Sequence, residues 1–120
     1  MSDGRFPRWV FGTGTEPDPR FTLANERTFL AWTRTALALI AGGVALDAID
    51  VPLPPPLKLT AVIILLALGL LLPLTAWTGW ARSERAMRRG RPLPASLPTL
   101  LVASGVVAVA ALILIGIAVR

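Results

Sequence analysis

The side chains able to do chemistry in this chain are concentrated in one stretch, Asp18 to Asp47, DPRFTLANERTFLAWTRTALALIAGGVALD, which begins polar and charged and becomes purely apolar. Set on a helix at about 100° per residue, it places Arg20, Ala24, Arg27, Ala31, Arg34, Ala38, Ala41, Gly42 and Ala45 along one narrow stripe of small residues and arginines. Guanidinium forks suit phosphate oxygens, which accept paired hydrogen bonds. If several copies of this helix surround an axis, Arg20, Arg27 and Arg34 form stacked basic rings, an arrangement that selects anions and repels cations. An arginine at the centre of a membrane helix costs about 2.5 to 3.5 kcal/mol on insertion scales, so Arg34 must face something other than lipid.

The same residues also support a packing role. Arg27 can pair with Glu26 of a neighbouring copy or with Glu84, Asn25 and Thr28 can hydrogen-bond between helices, and Arg20 can snorkel to lipid headgroups. Glu26 reads as a partner for Arg27 or Arg82 and not as a general acid or base, because it has no second catalytic group beside it. The chain has no cysteine, histidine or tyrosine, which removes thiol nucleophiles, the usual general base and most transition-metal ligands. The expectation is therefore no catalytic residue, no metal, no cofactor and no enzyme.

The elements that must position these groups are helices in a bilayer. Hydrophobic residues make up 54% of the 120, above the share usual for a soluble domain. The net charge of +5 sits beside apolar runs and so reads as a topology signal and a contact for anionic lipid, not as a nucleic-acid surface. Asp18 and Pro19 look like an N-cap followed by proline at the first helical position, and the membrane part of this helix is expected over 29–47. The proline-rich connection Asp47 to Lys58 leads to a second span over 59–80, with Pro73 as a candidate kink and Trp77 and Trp80 at its interface. Residues 81–97 carry Arg82, Arg85, Arg88, Arg89 and Arg91 against a single Glu84, and are expected to form a basic cytoplasmic loop closed by Pro92, Pro94 and Pro98. A third span follows over 99–119, ending at Arg120. The prediction is an all-α membrane protein with three transmembrane helices, its N-terminus cytoplasmic and its C-terminus extracytoplasmic. Residues 1–17, with Gly4, Pro7, Gly12, Gly14 and Pro17, are expected to be a flexible tail, with Phe6, Trp9, Val10 and Phe11 able to dip into the membrane interface as the alternative.

Spacings of four and three along the arginine stripe are those of a left-handed helix seam. Small residues there let backbones approach closely, which is how helices associate in lipid. The first helix is thus expected to be the inner helix of a homo-oligomer of three to six copies.

Leu23-Ala24-Asn25-Glu26-Arg27-Thr28-Phe29-Leu30-Ala31-Trp32, followed by Thr33-Arg34-Thr35, resembles the signature of the DUF202 family, also described as YidH-like small inner-membrane proteins. The resemblance runs from Asp18 to the end, implies a single three-helix membrane domain over 18–120, and places it in the inner (plasma) membrane. The ANERTF run, preceded by a proline and a basic residue, is also similar to the membrane domain of the eukaryotic vacuolar transporter chaperone complex. Subunits of that shape assemble around a polyphosphate-conducting pore. This likeness implies a pentamer, phosphate or polyphosphate as the anion, Arg20 and Arg27 as basic pore residues, Glu26 as their acidic partner and a further functional arginine near Arg82. This chain departs from the chaperone subunit in carrying Arg34 where an uncharged residue is expected there. The function expected is an oligomeric anion- or polyphosphate-conducting pore lined by the first helix. The alternative is a non-conducting structural or assembly subunit whose polar motif locks helices together.

Overall fold

Asp18 does cap a helix: its carboxylate accepts the Arg20 backbone N–H at 2.9 Å, and Pro19 occupies the first helical position. In the computed structural model, which describes residues 5–93 and 97–119, the chain forms four helices, α1 (Arg8–Phe11), α2 (Pro19–Ala48), α3 (Pro55–Arg88) and α4 (Leu97–Ala118). The expected marks at Gly4, Pro94 and Arg120 lie outside the described residues. Three of the helices, α2, α3 and α4, are long and apolar enough to cross a membrane. The described residues contain no strand.

α3 is the central post, with α2 packed along one side and α4 along another. The core joins Ala36 and Leu39 of α2 to Leu68 and Leu72 of α3, with Trp32, Ile64, Leu65, Leu101 and Val102 against them. Two glycines set the approach of the helices. A Cβ at Gly69 would run into Ile40 of α2, and one at Gly105 would run into Leu68 of α3. Close backbone approach of this kind gives van der Waals contact that leucine against lipid tails does not gain. Large apolar side chains such as Leu37, Leu70, Leu100 and Leu114 are left facing outward, as a bilayer solvent allows.

The expected basic loop over 81–97 is corrected. α3 does not stop at Trp80 but runs on to Arg88 through Pro73, so Arg82, Arg85 and Arg88 are helical. Its end is a Schellman closure, with the Arg91 N–H bonded to the Ala86 carbonyl at 2.9 Å and the Gly90 N–H to the Met87 carbonyl at 3.3 Å. Gly90 takes φ +65°, the left-handed conformation this closure requires. At 34 residues α3 is about 50 Å long, well beyond the roughly 30 Å of hydrocarbon it has to cross. Its basic end therefore projects from the membrane.

That projection receives the N-terminal segment, which is also not the tail expected. Val10 and Phe11 are buried against Ala81 and Trp80 of α3, with the Phe11 and Trp80 ring centroids 6.1 Å apart. Arg88, only 6% exposed, holds the segment by its guanidinium. It donates to the Thr13 carbonyl at 2.9 Å, the Phe11 carbonyl at 3.0 Å and the Glu16 carboxylate at 3.1 Å. In return the Arg88 carbonyl accepts the Thr15 N–H at 3.0 Å, where Gly14, at φ +61°, leaves no room for a Cβ. Arg5 adds a second hydrogen bond to Glu16 at 2.7 Å.

Arg88→Ala removes all three donated bonds and leaves the Phe11 and Thr13 carbonyls without their donor, while Glu16 keeps Arg5, so the segment should lose about 2 kcal/mol of docking stability. Hydrogen exchange at the amides of residues 10–15 should then rise while that of α3 between Leu65 and Leu72 stays slow. Hydrogen bonds from Arg5, and then from Arg88, hold the Glu16 carboxyl below its ordinary 4.5. A depressed native value stabilises above the unfolded value and is lost as the proton binds, so docking should weaken only as pH falls below about 4.5 and through the lower native value. A segment whose protection relative to free-peptide exchange is the same at pH 7 and pH 3 would contradict this.

Candidate functional site

α2 divides into two faces that do different work. Asn25, Phe29, Trp32, Ala36, Leu39 and Gly43 turn toward α3 and are buried or half-buried. Arg20, Ala24, Arg27, Ala31, Arg34, Ala38, Ala41, Gly42 and Ala45 are all exposed, on the opposite side of the helix. A Cβ added at Gly42 would meet nothing within 4 Å. The stripe identified by period is therefore uncovered along its full length.

The α3-facing side carries a polar lock at the basic end. Glu84 is 1% exposed, and a buried carboxylate is tolerated only when hydrogen-bonded. The Thr22 hydroxyl donates to one of its oxygens at 2.9 Å and the Asn25 amide to the other at 3.4 Å. The same Asn25 amide donates to the Trp80 carbonyl at 2.9 Å, tying two residues of α3 with one side chain. Asn25 thus does bond between helices, as expected. Thr28 does not, because its hydroxyl turns back to the Ala24 carbonyl of its own helix at 3.1 Å.

The expected pairing of Arg27 with Glu84 is corrected: Glu84 takes neutral donors from α2, and Arg27 points away on the exposed face. Arg20 is engaged locally, its guanidinium 2.9 Å from the Asp18 carboxylate. Among the described residues Glu26 forms no ion pair with Arg27 or Arg82 within this chain.

Two clefts flank α2 at this end. One, of about 150 Å³, gathers Asn25 and Thr28 of α2, Thr75, Arg82 and Ser83 of α3, and Pro98 at the start of α4. It brings together three of the motif positions read from the sequence, Asn25, Thr28 and Arg82, around one exposed guanidinium. The other cleft lies between Glu26, Phe29 and Leu30 of α2 and Trp77 and Trp80 of α3. Arg20, Arg27 and Arg34 line neither. Among the described residues no cluster of His, Cys, Asp and Glu is arranged to hold a metal ion.

The residue that sequence reasoning underused is Glu84. The signal was its spacing: on a helix carried past Trp80, Ala81, Glu84 and Arg88 share one face. Glu84→Leu should strand the Thr22 hydroxyl and leave the Asn25 amide with only its Trp80 bond, lowering bundle stability by about 1 kcal/mol for each bond lost. Glu84→Gln keeps an acceptor for them and should cost less. Denaturation in mixed micelles distinguishes the two, and equal losses would remove the lock as a source of stability.

Comparison with known proteins agrees with this architecture. Residues 20–86 match the family described as Domain of unknown function (DUF202). The chain is 43% identical over 106 residues to the inner membrane protein YidH of Escherichia coli, covering 87% of this chain and 90% of YidH. It is 51% identical over 87 residues to an uncharacterized protein of Mycobacterium tuberculosis, covering 68% of each. No solved structure matches it. With the ANERTF-bearing helix, three membrane-length helices and relatives at this identity, the chain belongs to the DUF202 family and is a YidH-like, multi-pass inner-membrane protein.

Proposed function

We propose that the protein is the subunit of a homo-oligomeric anion pore, and not an enzyme, with α2 of each copy facing the axis. The observation that carries this reading is the uncovered stripe of α2, small residues and arginines on the face opposite α3. Alanine and glycine gain little against lipid tails, whereas against a second helix they allow close backbone approach. Arginine there is costly unless it meets water, an anion or a partner. Arg34 lies 15 positions past Pro19, about 22 Å along the helix, inside the apolar part. Around an axis, Arg27 and Arg34 form rings that draw anions through, and Arg20, held by Asp18, stands at the mouth.

The basic end of the bundle then faces the cytoplasm by the positive-inside rule, with the N-terminus inside and the C-terminus outside. The likeness to the vacuolar transporter chaperone membrane domain supports five copies and phosphate or polyphosphate as the anion. Arg82, in the cleft shared with Asn25 and Thr28, lies at the same end and would gather anions there.

The second reading, a non-conducting assembly subunit, draws on the Thr22, Asn25 and Glu84 lock. That cluster shows part of the polar motif bonded within one chain. The two readings separate on the arginines. Arg27→Ala and Arg34→Ala should leave the subunit count unchanged by mass measurement in nanodiscs, while phosphate or polyphosphate flux from proteoliposomes falls severalfold. Variants that break the oligomer point to the assembly role, and variants that keep both assembly and flux unchanged would sink the arginine rings.

A further inference from the structure

We propose that the cleft beside Glu26 binds the ammonium headgroup of a membrane lipid, with an acyl chain lying in the groove beneath it. The cleft holds about 240 Å³ between Glu26, Phe29 and Leu30 of α2 and Trp77 and Trp80 of α3, several times the roughly 30 Å³ of one water. Its walls include two indoles with centroids 6.2 Å apart and tilted by 38°. Aromatic faces attract cations through their quadrupole, and alkylated or primary ammonium groups are favoured occupants of such boxes. A carboxylate at the rim adds the matching charge.

Glu26 is available for that role. At the basic end every other described acid is engaged: Glu16 with Arg5 and Arg88, Asp18 with Arg20, and Glu84 with Thr22 and Asn25. Glu26 is exposed and has no hydrogen-bond or ion-pair partner among the described residues, although it sits next to Arg27 in a strongly basic protein. A single carboxylate with indole walls is not a metal site, and none of the described acids is clustered for one. An organic cation is the ligand class this chemistry recognises.

The groove below decides for a lipid. Leu30, Leu37 and Val44, seven residues apart, form one exposed line down α2 from the cleft toward the membrane centre. Trp77, Leu74, Leu70 and Ile63 form a matching exposed line down the antiparallel α3. Leu30 and Trp77, which head these two lines, both line the cleft. The cleft also lies at the level of the interfacial tryptophans, where headgroups sit. In a ring with α2 toward the axis, the stripe arginines point inward while this cleft opens on the flank.

The test uses the full chain purified in detergent, equilibrated with vesicles of phosphatidylethanolamine or of phosphatidylglycerol, with retained lipid counted by native mass spectrometry. The native chain should retain the aminolipid preferentially, and Glu26→Gln and Trp77→Leu should each reduce that preference by about fivefold with helix content unchanged. Free phosphoethanolamine should not displace the lipid, because it lacks the chain the groove takes. Equal retention of both lipids, a preference untouched by Glu26→Gln, or displacement by the free headgroup would overturn the proposal. So would a Glu26→Gln variant that dissociates the oligomer while keeping the lipid preference, since the carboxylate would then belong to a subunit contact. The lipid count is read without any flux measurement, so it stands or falls apart from the pore.

Discussion

A carboxylate shut away from solvent at the end of a membrane helix has to be met by donors, and Glu84 is the constraint on which the arrangement of this bundle turns. Its two donors come from α2, three residues apart, and the second of them also takes the Trp80 carbonyl. Satisfying one acid therefore fixes both the register of α2 on α3 and its rotation about its own axis. Once Thr22 and Asn25 face α3, helical geometry carries Phe29, Trp32, Ala36, Leu39 and Gly43 to the same side. Arg27, Arg34 and the small residues between them are left on the other. The exposed stripe is thus a consequence of the lock, and apolar packing further along, Ile40 against Gly69 and Gly43 against Leu66, repeats the same register.

Arginines in this chain are sorted by what surrounds them more than by where they fall in sequence. Arg88 is buried and saturated, a structural cation that gathers the N-terminal segment with three acceptors on separate residues. Arg20 is exposed and paired within its own first turn. Arg27 and Arg34 are exposed, with α2's other face occupied by α3. Arg82, one helical turn before Arg85, looks into a cleft that Asn25 also lines. The last three present exposed guanidinium groups on or beside α2, where a second copy or an anion would meet them.

Much of this was legible from residue types alone. Asp18 and Pro19 marked the start of α2 because capping is local chemistry, and the three long helices followed from uninterrupted apolar length. The stripe was legible because a 3.6-residue period does not depend on partners. The end of α3 is not marked by its arginines, because charge says where the membrane stops and not where a helix does. Gly90 followed by Pro92 was the stronger stop signal, and the Schellman closure forms there. Docking of residues 5–16 was not legible: a helix of four residues has no period to read, and Val10 is buried by residues about 70 positions away. The clefts on either side of Asn25 and Glu26 depend on which α3 residues face α2, which no pattern within α2 contains.

The strap that Arg88 makes across the N-terminal segment joins positions 72 to 77 residues apart. At a synthesis rate of roughly 5 to 20 residues per second, the segment leaves the ribosome about 4 to 15 s before its anchor exists. The first part of the chain to be made is thus among the last to find its place, and α2 must enter the bilayer before either the strap or the Glu84 acceptor can steady its charged beginning. During that interval Thr22, Asn25 and the apolar side chains of Val10 and Phe11 are open to whatever handles the nascent chain.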